Sequence, residues 1–106
     1  MSIKLMGVAV ALVAVSPVPG AALEPREQRG LVFVRTNCAN CHAVAQTGES
    51  PLAIAPPFRT LHRKYPVEHL AESLAEGIST GHPSMPQFQL DPGQIDDVIS
   101  YLKTLR

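Results

Sequence analysis

The sequence contains no tryptophan, and two tyrosines and three phenylalanines are all the aromatic bulk in its 106 residues. That leaves little to build a core from. A domain this short buries a modest share of its surface and usually needs a disulfide, a metal or a cofactor to hold it. Cysteine is equally scarce. The two present, Cys38 and Cys41, have only Ala39 and Asn40 between them, and a disulfide closing so small a loop removes little entropy from the unfolded chain. Charge of one sign does not dominate either: nine Lys and Arg balance nine Asp and Glu. With no basic run and no basic patch interleaved with aromatics, nucleic acid is not an expected partner. Also missing is an apolar run long enough to span a bilayer, which takes roughly 17–25 residues. The longest, Leu5 to Val15, contains Gly7 and is followed closely by Pro17 and Pro19, which would end its helix early.

What that first stretch does contain is the layout of an export signal: Lys4, a short apolar segment, then the small and helix-breaking residues Ser16-Pro17-Val18-Pro19-Gly20-Ala21-Ala22. Gly20 and Ala22 suit the small-residue rule, placing cleavage after Ala22. Residues 1–22 are thus expected to be a signal peptide and residues 23–106 the mature domain, with an uncleaved anchor as the alternative. Loss of Lys4 leaves eight basic and nine acidic side chains in that domain.

The mature part reads as all-α. Pro25 suits a first helical position, and Glu24 and Glu27 favour the positive end of the helix dipole. Gly30, Val34 and Cys38 fall four apart, with Leu31 and Phe33 beside them, so one stripe faces inward. Residues 43–57, with Gly48, Pro51, Pro56 and Pro57, read as an irregular loop, followed by a short helical turn around Phe58 to Lys64. A second helix opens at Pro66 and keeps Val67, Leu70, Ala71, Leu74 and Ile78 in helical spacing, with Gly77 where a C-terminal cap belongs. After a second loop over 79–90, a last helix starts at Asp91, with Pro92 at its first position and Gln94 completing a capping box. Its apolar stripe is Ile95, Val98, Ile99, Leu102 and Leu105. No strand pattern, repeat or low-complexity tract is present.

The chemistry lies in Cys38-Ala39-Asn40-Cys41-His42. Residues three apart share one face of a helical turn, so both thiols can reach the two vinyl groups along one porphyrin edge. The adjacent imidazole can then swing under the ring to the iron. In an exported chain this spacing is the signature of covalent haem c attachment, one haem per chain. Two alternatives share part of the pattern. A thioredoxin-like dithiol needs strands and helices alternating around the motif, and a zinc site needs a further Cys or His pair, whereas His62, His69 and His82 are scattered.

An iron so held needs a sixth ligand or an open position. Met85 is the only methionine in residues 23–106 and lies in Pro83-Ser84-Met85-Pro86. A methionine is ordinarily flexible core filler, but flanking prolines restrict this loop and lower the cost of ordering its thioether. His82 is the rival. With His42 and Met85 as metal ligands, the soft sulfur favours ferrous iron and raises the reduction potential. Filled axial positions suit a carrier rather than an enzyme.

From Gly30 through the attachment motif to Asp97-Val98-Ile99-Ser100-Tyr101-Leu102-Lys103, the mature chain resembles a class I cytochrome c along essentially its whole length. The resemblance implies a small fold of three to four helices wrapped around one covalent haem, with N- and C-terminal helices crossing and Tyr101 packed over Gly30. Val34 departs from the pattern, which usually has an aromatic there; Phe33 is one residue away. The resemblance also implies that a proline carbonyl, Pro56 in preference to Pro57, accepts a hydrogen bond from the proximal histidine. Phe58 and Phe88 are candidate pocket residues beside it. The implied function is a soluble, monomeric periplasmic electron carrier between a reductase or dehydrogenase and an oxidase or peroxidase. The alternatives are a dedicated subunit of a dehydrogenase complex and a ligand-binding or peroxidase-like haem protein with a labile sixth ligand. Arg26, Arg29, Arg35, Arg59, Arg63, Lys64 and Lys103 are among the cations available for docking, without forming a lysine ring.

Overall fold

Proline opens both long helices, because its missing N–H costs nothing at a first helical position and its fixed φ matches the helix. A computed structural model of the chain describes residues 2–4, 6–14, 22–78 and 85–106. In it, helix α1 spans Pro25–Asn37. The Glu27 carboxylate reaches back to accept the Glu24 amide at 2.8 Å. At its other end the side chains of Thr36 and Asn37 donate to the Val32 and Phe33 carbonyls at 2.8 and 2.9 Å, so the last turn is tied down just before Cys38. Helix α3 spans Pro92–Lys103. Its capping box is reciprocal: Asp91 Oδ1 accepts the Gln94 amide at 2.8 Å, and Gln94 Oε1 accepts the Asp91 amide at 3.1 Å.

Between them, a 3₁₀ segment covers Phe58–Arg63. The next element differs from the expected helix opened at Pro66. Pro66 has an extended ψ of 131° and stays outside, and the chain begins with a 3₁₀ turn, Val67–His69. The i to i+3 bond from the His69 amide to the Pro66 carbonyl, 3.0 Å, sets that tighter start. It widens into α2, Leu70–Glu76. Gly77 then ends the helix with φ of 102°, a left-handed value that glycine adopts without strain, so Ile78 lies beyond it. No strand occurs among the described residues, and the fold is all-α.

The core forms where α1 packs on α3. The α3 stripe of Ile95, Val98, Ile99, Tyr101 and Leu102 is buried, and Leu105 is buried in the turn that follows. Each such aliphatic side chain contributes about 1.5–3 kcal/mol when fully withdrawn from water. Val34 is 1% exposed and takes the inward position, while Phe33 packs half-buried against the same cluster. The aromatic displaced by one residue therefore covers the edge of the crossing instead of filling it.

Gly30 is what lets the two helices meet. A Cβ there would overlap the Asp97 carbonyl and stand 2.7 Å from Tyr101 Cβ, far inside van der Waals contact. Tyr101 crosses over this glycine, and its hydroxyl donates to the Val44 carbonyl at 2.5 Å, joining α3 to the segment after His42. Arg29 pairs with Asp97 at 3.1 Å across the same crossing. On the outside, Glu68 pairs with Lys103 and Arg106 at 3.6 and 3.2 Å.

Residues 2–4 and 6–14 form no helix. Ile3, Met6, Val8, Val10, Leu12 and Val13 are all exposed, so this apolar segment contributes nothing to the core. Among the described residues no helix is long and apolar enough to cross a membrane. The expected cleavage region, except Ala22, lies outside the described residues.

Replacing Gly30 by Ala is expected to destabilise the folded protein by about 3 kcal/mol or more, because the obstruction is backbone and must be relieved by moving α3. Denaturant unfolding checks this, and a change under 1 kcal/mol would contradict it. Tyr101→Phe leaves the Val44 carbonyl without its donor, at a cost of about 1–3 kcal/mol. Burial raises the Tyr101 phenol above its ordinary value, with Arg35 partly opposing. The associated stability is complete below the unfolded-state value and is lost as pH rises through the folded-state value. The Phe variant should therefore lose this part of the alkaline fall in stability, which pH-dependent melts would show.

Candidate functional site

The attachment motif sits at the C-terminal end of α1, where the helix unwinds by one more turn. Cys38 caps the helix, its amide still bonded to the Val34 carbonyl at 2.8 Å. Its own carbonyl accepts from Cys41 at 3.2 Å and from His42 at 2.9 Å. This single turn holds Cys38, Cys41 and His42 together. Both cysteines are free thiols and half-buried.

That placement separates the chemistry from a redox dithiol. A reactive Cys-x-x-Cys lowers the pKa of its nucleophile, commonly at a helix N-terminus. Here burial pushes the Cys38 thiol up to about 11, and it lies at the end of the helix where the dipole disfavours an anion. A zinc set is not assembled either: among the described residues no group of three or more His, Cys, Asp and Glu side chains converges.

The imidazole of His42 is fixed from the far side. Its Nδ1 lies 2.7 Å from the Pro56 carbonyl oxygen. A carbonyl can only accept, so Nδ1 carries the proton and Nε2 keeps its lone pair. Of the two adjacent prolines it is Pro56 whose carbonyl makes this contact. Phe58 stands beside the same ring, centroids 4.8 Å apart and planes tilted by 37°. Two paired thiols on one turn and an imidazole whose Nε2 has no hydrogen-bond partner among the described residues fit covalent haem with an axial histidine. A carbonyl on Nδ1 is the partner that orients such a ligand and makes it more basic.

The cytochrome c family model matches residues 28–106. The chain is a member of the cytochrome c family. It is 30% identical over 106 residues to cytochrome c-552 of Bradyrhizobium diazoefficiens, covering 100% of this chain and 99% of that one. It is 31% identical over 84 residues to a cytochrome c-553-like protein of Synechocystis sp., covering 79% of this chain and 73% of that one. No solved structure matches significantly. Membership makes this a small class I c-type cytochrome, an electron-carrying haem protein, and it implies haem c as its covalent cofactor.

The remaining candidates of this cytochrome lie on the segment that returns to α3. Met85 is half-buried. Phe88 packs against the core cluster, and its carbonyl accepts from Ile78 at 3.3 Å. The Leu90 amide donates to the Leu74 carbonyl at 2.8 Å, so α2 anchors this segment close behind Met85. His82, the rival ligand, lies outside the described residues. Several cations considered for docking are engaged elsewhere: Arg29 with Asp97, Lys103 with Glu68, and Arg59 with the Gly48 carbonyl at 2.6 Å.

Sequence reasoning did not find the bonds that Tyr101 and Arg59 make to loop 43–57 or that Ser50 makes within it. A hydroxyl or guanidinium that bonds to a single backbone group leaves no periodic signal. Replacing Cys38 and Cys41 together by Ala is expected to leave little folded protein, since the cofactor supplies much of an aromatic-poor core. A well-folded variant that unfolds cooperatively would contradict this, as read by circular dichroism.

Proposed function

We propose that the chain is an exported periplasmic one-electron carrier, its haem c joined to Cys38 and Cys41 and its iron bound by His42 and Met85. The observation that carries this is the His42–Pro56 bond, which leaves Nε2 as the free donor one residue from the second thiol. Haem c, when bound, supplies a one-electron ferric–ferrous couple. His42, with its proton held on Nδ1, keeps one tautomer in both states and donates electron density through Nε2. The Met85 thioether favours the ferrous state, and Pro86 beside it has a fixed φ that restricts the backbone there. A ligand set common to both states requires little rearrangement when an electron moves.

The N-terminal apolar segment, exposed and unpacked, is consistent with a signal removed after Ala22. The partners proposed are a reductase or dehydrogenase as donor and an oxidase or peroxidase as acceptor. They meet a monomeric carrier through small, transient interfaces of the kind redox encounters use.

Absorption spectra of the purified ferric and ferrous protein test the ligand set. The ferric form should show the weak far-red sulfur-to-iron band, and the ferrous form should bind carbon monoxide poorly near neutral pH. Met85→Ala should abolish the band and lower the reduction potential. A band that persists in the variant would remove Met85 as ligand, and avid carbon monoxide binding by the unaltered protein would favour an open-site haem protein instead.

A further inference from the structure

The backbone on both sides of His42 is held by hydrogen bonds, and one of them involves a side chain outside the cofactor motif. The His42 amide donates to the Cys38 carbonyl at 2.9 Å, fixing the peptide before the histidine. The peptide after it is fixed by the Ala43 amide, which donates to Ser50 Oγ at 3.0 Å. Ala43 is only 8% exposed, so water is a poor substitute for that hydroxyl, and a buried N–H without a partner is costly. The Ala43 carbonyl in turn accepts the Phe58 amide at 2.9 Å, and the Leu52 amide donates to the Cys41 carbonyl at 3.1 Å. Pro56 and Pro57 have no N–H with which to anchor themselves, so the carbonyl facing His42 depends on these neighbouring bonds.

We propose that Ser50 is a positioning residue for the proximal imidazole. Its hydroxyl oxygen fixes the plane of the His42–Ala43 peptide, and through that ψ of His42 and the approach of Nδ1 to the Pro56 carbonyl. Of the backbone and side-chain groups that make these bonds, Ser50 alone offers a side-chain acceptor that a substitution can delete. The proposal rests on His42 as iron ligand. Losing the hydroxyl lets the His42–Ala43 peptide rotate, lengthens the Nδ1 bond and makes the imidazole less basic. Ferric iron is then less stabilised, and the reduction potential rises.

The test uses the haem-loaded protein. The Nδ1 proton of His42 in the unaltered protein should give an exchange-protected NMR signal displaced by the nearby iron. If that signal is missing, His42 is not the ligand and the proposed function itself fails. With the signal present, Ser50→Ala should raise the reduction potential and speed exchange of the Nδ1 proton roughly tenfold, while Ser50→Thr, which keeps the hydroxyl, should restore both. A Ser50→Ala protein that melts lower but keeps the potential and exchange rate would overturn the positioning role. If that variant does not accumulate, exchange in the unaltered protein decides. The Ala43 amide and the His42 Nδ1 proton should share one opening equilibrium across a denaturant series, and independent opening would overturn the proposal.

Discussion

One hydrogen bond organises this molecule, from His42 Nδ1 to the Pro56 carbonyl. It selects the tautomer that frees Nε2, and together with the Leu52–Cys41 and Phe58–Ala43 backbone bonds it ties the end of α1 to the loop that follows. The other devices of the fold serve the two sides of that contact. Gly30 admits the α3 backbone against α1. Tyr101 then reaches across to Val44, and Phe58 closes on both the imidazole and the Ala43 carbonyl. Little of this is strong singly, since each net hydrogen bond contributes about 0.5–1.5 kcal/mol. Together the bonds restrict one imidazole to one orientation, and that is a requirement of a carrier whose ligands must not rearrange between oxidation states.

The chemistry of the cysteines follows from where the chain puts them. The same Cys-x-x-Cys spacing makes a reactive dithiol at the start of a helix, whereas here it lies half-buried at a helix end. Burial that holds the Cys38 thiol near 11 suppresses thiolate and with it disulfide exchange. Two thiols presented on one turn, with Cys38 held in its protonated form by burial, suit a lasting covalent bond to a cofactor better than cycling between oxidised and reduced forms.

Much of this was legible in the sequence because it is written in local patterns. Pro25, Pro92, Asp91 with Gln94, and Gly77 each mark a helix end, and the structure puts α1, α3 and the end of α2 where those residues place them. The Cys38-Cys41-His42 spacing and the stripe from Ile95 to Leu105 are local as well. The opening of α2 was less legible, since proline is compatible with a helix start and with the extended residue before one, and the bond from His69 to Pro66 decides between them. Val34 occupies the crossing in place of an aromatic, and only the packed helices show that Phe33 lies to one side. The bonds from Tyr101 and Arg59 to loop 43–57, and from Ser50 within it, were not legible at all. They rest on single polar atoms meeting backbone groups, in the case of Tyr101 and Val44 across most of the domain, and nothing in composition or period records such a meeting.

Intact-mass measurement of the exported, purified chain, before and after treatment with an alkylating reagent, tests the central claim most directly. A protein of this design should weigh one haem more than its polypeptide and take up no alkyl group at Cys38 or Cys41. A colourless chain of bare polypeptide mass, alkylated at both cysteines, would contradict it.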